Sequence, residues 1–82
     1  MYKIKFEVRG VKSADKVEVH SVPMLLLIAR TYVSAIEMQH NIKFEYMYSM
    51  IDGFAESVDF KTPVLPVTFT DEFLKITIDY KA

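Results

Sequence analysis

Residues 2–9, YKIKFEVR, alternate apolar and polar positions without interruption. Tyr2, Ile4, Phe6 and Val8 fall on one side, with Lys3, Lys5, Glu7 and Arg9 on the other. A period of two is that of a β-strand with one buried face. The pattern returns in KVEVHSV, where Val17 and Val19 alternate with Lys16, Glu18 and His20. The polar connection GVKSAD between the two segments is short, which predicts an antiparallel hairpin. FLKITIDY repeats the alternation near the end of the chain, with Leu74, Ile76, Ile78 and Tyr80 against Phe73, Lys75, Thr77 and Asp79.

From Ser21 the period changes. Leu25, Ile28, Ala29, Tyr32 and Ile36 recur at steps of three and four, with Leu26 and Val33 widening the stripe, and this spacing predicts an amphipathic helix. Ser21 supplies an N-cap hydroxyl, Pro23 is tolerated in the first turn, and Asn41 suits a left-handed terminator.

The next stretch, FEYMYSMIDGFAESVDF (44–60), is compatible with both periods. Met47, Met50, Ile51, Phe54 and Val58 fit helical steps. Asp52-Gly53 in the middle and the wealth of Tyr, Phe and Ile favour a hairpin instead. A three-residue Ile51-Asp52-Gly53 loop places Phe44, Tyr46, Tyr48, Met50, Phe54, Val58 and Phe60 on one face, so the sequence predicts a hairpin with those side chains inward. Two prolines in KTPVLPV confine the following segment to an edge strand or an extended connection, with Leu65, Val67 and Phe69 inward.

The predicted fold class is α+β. About five strands form an antiparallel or mixed sheet with one helix packed on one face, in the order ββαββ(β), as one domain spanning 1–82. That order resembles the β-grasp (ubiquitin-like) layout, which implies that the first and last strands lie side by side and parallel while the helix crosses one face. The resemblance is one of architecture alone. The chain ends Tyr-Lys-Ala rather than in a Gly-Gly tail, so the role of a conjugated modifier or a sulfur carrier is not expected of it.

Composition supports a packed core: 51% of the residues are hydrophobic and 13% aromatic, unlike disordered chains. There is no cysteine, which excludes disulfides and thiolate zinc sites and suits a cytoplasmic protein. The longest apolar run, Met24 to Ala29, is far short of the roughly 20 residues that cross a bilayer, and it lies too deep in the chain for a signal peptide. No membrane association is expected.

Net charge is −1, but residues 1–43 carry seven Lys/Arg against four Asp/Glu (+3) while residues 44–82 carry three against seven (−4). Lys3, Lys5 and Arg9 share the outward face of the first strand, and Lys12 and Lys16 flank the loop. Clustered cations of this kind suit a nucleic-acid backbone, but Glu7 interrupts the row and no aromatic shares the face for stacking.

Catalytic chemistry finds little to build on. His20 neighbours Glu18 on a strand face, and His40 follows Glu37 by one helical turn. Two separated histidines do not supply the three ligands of a catalytic zinc site. Neither glycine belongs to a phosphate-cradling motif, and no serine sits in a nucleophile elbow. No cofactor, metal or enzymatic activity is expected.

With one helix covering one face, outward apolar side chains mark a contact surface. Met47, Ile51, Phe73 and Val64 are the candidates for it. The expected function is a small protein-binding module of adaptor or inhibitor type, acting as a homodimer or on a larger partner protein. The alternative is a nucleic-acid-binding module using Lys3, Lys5, Arg9, Lys12 and Lys16.

Overall fold

A computed structural model of the chain describes residues 1–11, 14–60 and 65–81, apart from the side chains of Asp59 and Phe60. In chain order the elements are β1 (Tyr2–Val8), β2 (Asp15–Val19), α1 (Val22–His40), α2 (Met47–Phe60), β3 (Val67–Thr70) and β4 (Leu74–Tyr80). The four strands form one sheet in the order β2-β1-β4-β3, and each neighbouring pair is antiparallel. The protein is therefore α+β, with an antiparallel sheet and two helices.

Alternation decides which face of the sheet is covered. Ile4, Phe6 and Val8 of β1 stand opposite Ile78, Ile76 and Leu74 of β4, and all six are buried. Val19 of β2 and Phe69 of β3 extend this apolar face outward on either side. Helix α1 packs over β1 and β2, and α2 lies beside α1 and over β3. The helices contribute Leu25, Ala29, Val33 and Ile36 from α1, and Met47, Ile51, Phe54 and Ala55 from α2. Tyr32 ties α1 to the hairpin beneath it. Its ring stacks on Phe6 at 3.9 Å between centroids, and its hydroxyl donates to the Asp15 carboxylate at 2.7 Å. Burial and that neighbouring carboxylate push the phenol up to about 12.

The ends of α1 are those expected from sequence. The Met24 amide donates to the Ser21 hydroxyl at 3.3 Å, and Asn41 adopts the left-handed conformation (φ 52, ψ 48), its amide donating to the Glu37 carbonyl. Gly10, at φ +84, occupies the turn after β1, where the Val11 amide donates to the Val8 carbonyl at 3.0 Å.

Three expectations are corrected. Residues 47–60 form a helix, not a hairpin. Met47, Ile51, Phe54 and Ala55 follow helical steps and share one buried face, and this burial outweighs both the strand preference of the aromatics and the cost of one helical glycine. Tyr46, expected inward, is exposed, while Phe44 and Phe54 are buried as expected and Tyr48, Met50 and Val58 are partly so. Among the described residues the sheet accordingly has four strands under two helices rather than about five under one. Finally, β1 and β4 run antiparallel, whereas the β-grasp layout requires them parallel. Five elements joined by successive reversals leave the last parallel to the first; the second helix adds one more reversal and inverts the final strand.

Gly53 lies in α2, exposed, with nothing within 4 Å of where a Cβ would stand. In a hairpin loop with positive φ, Gly53→Ala would destabilise the protein. In a helix it stabilises, by about 0.5–1 kcal/mol, so thermal unfolding of the variant should shift upward by roughly 2–8 °C.

Candidate functional site

Of the residues proposed from sequence as an outward apolar patch, Met47 and Ile51 do not face outward. Met47 and Ile51 are both 0% exposed, because the helix that carries them turns that side onto the sheet. Phe73 is only partly exposed; it packs against the core, and its ring lies 4.6 Å from the His40 imidazole. Val64 lies outside the described residues.

The basic residues fare differently. Lys3, Lys5 and Lys16 are brought together on the open face of the sheet, but that face alternates in sign. Lys3 stands between Glu18 and Asp79, and Lys5 between Lys16 and Thr77. Glu7 stands opposite Lys75, its carboxylate 3.6 Å from the Lys5 ammonium and 3.8 Å from that of Lys75. Arg9 sits beyond the end of β1, where its guanidinium donates to the Glu72 carbonyl at 3.5 Å. Lys12 lies outside the described residues. His20 is exposed, and among the described residues no group of three His, Asp or Glu side chains is placed to hold a metal ion.

The apolar surface that does face solvent lies on the back of α1. Met24, Leu27 and Met38 are 47%, 62% and 81% exposed, and Thr31 and Ala35 between them are exposed as well. At 3.6 residues per turn these five share one side of the helix, opposite the core stripe. That side carries no charge. The two formally charged residues of α1, Arg30 and Glu37, point along its flank toward α2. One terminal nitrogen of the Arg30 guanidinium, Nη1, donates to both oxygens of the Asp52 carboxylate at 2.7 and 2.8 Å, and the guanidinium stands 5.2 Å from the Tyr48 ring centroid. The Arg30 and Asp52 side chains are half-exposed, so their pairing fixes helix orientation more than it adds stability.

Glu37 anchors the other end of the same flank. Its carboxylate accepts from the Tyr48 hydroxyl at 2.6 Å and from the Phe44 amide at 2.9 Å, tying the loop before α2 and the first turn of α2 to α1. Those two donors, the Tyr48 hydroxyl foremost, hold the carboxyl below its ordinary value. Burial, reinforced by Glu37, in turn raises the Tyr48 phenol. Grooves open along this flank at both ends. One of about 540 Å³ runs beside Thr31, Ala35 and Met38, and another of about 450 Å³ lies between Pro23 and Leu26 of α1 and Ala55 of α2. The exposed stripe is therefore continuous with the first of these recesses.

Sequence reading missed this surface although its signal was present. Residues 22–40 contain only Arg30 and Glu37 as formally charged side chains, too few to solvate the outer half of a 19-residue helix. Compared with models of known protein families, with curated proteins and with solved structures, the chain matches none. No helix among the described residues is long and apolar enough to cross a membrane.

Because the folded state depresses the Glu37 carboxyl, its contribution to stability is present above the unfolded value near 4.5 and is lost as pH falls through the folded value. Glu37→Ala should cost about 1–2 kcal/mol at pH 7, from two charge-assisted hydrogen bonds that solvent partly screens. Urea unfolding should show that deficit narrowing as pH falls below the unfolded value near 4.5 and vanishing once the folded carboxyl is itself protonated.

Proposed function

We propose that the chain is a small, non-enzymatic, cytoplasmic protein-binding module of adaptor or inhibitor type, and that its docking surface is the outward side of α1. One observation carries this reading: a helix stripe bearing Met24, Leu27 and Met38 is exposed and uncharged along the whole of α1. Solvated helix backs are ordinarily rich in charge, and a contiguous apolar surface rimmed by polar groups is characteristic of partner contacts. Methionines suit such a surface because their unbranched side chains adapt to the facing shape. Arg30, Asp52 and Glu37 form the polar rim on the α2 side.

The nucleic-acid reading draws less support. Lys3, Lys5 and Lys16 share their face with Glu7, Glu18 and Asp79, and interleaved carboxylates weaken the field that a phosphate backbone responds to.

Immobilised protein and single-face variants separate the two readings. Leu27→Asp or Met38→Lys should reduce partner retention at least tenfold, a loss of about 1.4 kcal/mol. Lys3→Glu/Lys5→Glu on the sheet should leave it within about twofold, with circular dichroism confirming that all variants fold. Retention that survives the helix variants and falls with the sheet variants overturns the proposal.

A further inference from the structure

We infer that the occupant of this face is a second copy of the chain, docked α1 against α1 in antiparallel orientation about a two-fold axis at Thr31. The inference rests on the reading of α1 as a docking surface and specifies what docks there. What carries it is the spacing of the outward residues. Relative to Thr31, Met24, Leu27, Ala35 and Met38 stand at −7, −4, +4 and +7. A two-fold axis across a helix exchanges positions of equal and opposite offset, and an isologous interface requires that each exchanged pair fit. Here Met24 meets Met38 of the second copy, and Leu27 meets Ala35 of the second copy. Thr31 meets its own counterpart.

Each pairing is one that packs. Leu27 against Ala35 sets a large side chain into the space above a small one, the alternation that lets facing helices interdigitate. The methionines at either end adapt to one another, and Thr31 at the axis is small enough for close approach. Successive steps of 3, 4, 4 and 3 average 3.5 residues, the period of a two-helix seam whose axes cross at about 20°.

Charge raises no objection to self-association. The stripe carries none, Arg30 is neutralised by Asp52 within its own chain, and a net charge of −1 leaves little repulsion between copies. Area sets the strength. From Met24 to Met38 the seam is about 21 Å long at 1.5 Å per residue. One helix per partner over that length falls below the roughly 1,200 Å² of a standard stable interface. The dimer is therefore a weak, reversible one, whose strength a concentration series reads directly.

Sedimentation equilibrium on the whole chain, from about 5 μM to about 1 mM, tests this directly. The wild type should pass from monomer to dimer across that range. Leu27→Asp should weaken the association at least tenfold with unchanged circular dichroism, since Leu27 is 62% exposed. Because the chain contains no cysteine, single cysteines report the orientation. Met24→Cys mixed with Met38→Cys should oxidise to a mixed disulfide, and neither variant alone should cross-link. Self-cross-linking of Met24→Cys alone overturns the antiparallel arrangement, and a dimer indifferent to Leu27→Asp overturns the surface. A monomer at about 1 mM overturns the second copy as occupant. If, in that event, Leu27→Asp still abolishes retention of another protein, the docking surface stands; if it does not, both readings fall.

Discussion

The pairing of the first strand with the last is the constraint on which the rest of the molecule depends. Seven residues of β1 stand opposite seven of β4. Backbone bonds extend the pairing at both ends, from the Arg9 amide to the Phe73 carbonyl and from the Lys81 amide to the Met1 carbonyl. Closing so long a loop is entropically costly, and the pairing persists because it assembles the apolar centre of the sheet. Ile4, Phe6 and Val8 against Ile78, Ile76 and Leu74 make a surface that is stable only when covered. Both hairpins hang from this central pair, with β2 on one side and β3 on the other.

Covering that surface determines what the helices do. A sheet four strands wide is broader than one helix of about 10 Å diameter, and α2 takes the half that α1 leaves bare. Once the two helices lie side by side, their shared flank is the natural place for charge. Arg30, Asp52, Glu37 and Tyr48 meet there in a register that runs antiparallel, Arg30 to Asp52 and Glu37 to Tyr48. The outward side of α1 is left with Met24, Leu27, Thr31, Ala35 and Met38. The functional proposal grows from this division of labour: charges orient the helix pair, and the apolar side chains that remain outside are free to meet another surface.

Much of the fold was legible because alternation and capping are local signals. The alternations at 2–9 and 73–80 fixed β1 and β4 to within a residue or two, and Ser21, Pro23 and Asn41 marked the ends of α1. Pro63 and Pro66 correctly limited the following strand to an edge, as β3 is. The 44–60 segment was misread because its apolar residues satisfy both periods, and Asp52-Gly53 offered a turn that the structure does not use. A hairpin would set Met47 and Ile51 on an outer face; the helix sets both in the core and leaves Leu27 and Met38 of α1 among the exposed apolar side chains.

By itself, then, the sequence determined the strands, the ends of the first helix and the polarity of the open sheet face, since each follows from periodicity within a few residues. Only the tertiary structure decided that 47–60 is helical, that β1 and β4 run antiparallel, and which apolar residues stay exposed. Those outcomes turn on which surface each segment finds to bury against. An apolar residue is core or contact according to what packs over it, and its own neighbours along the chain do not contain that information.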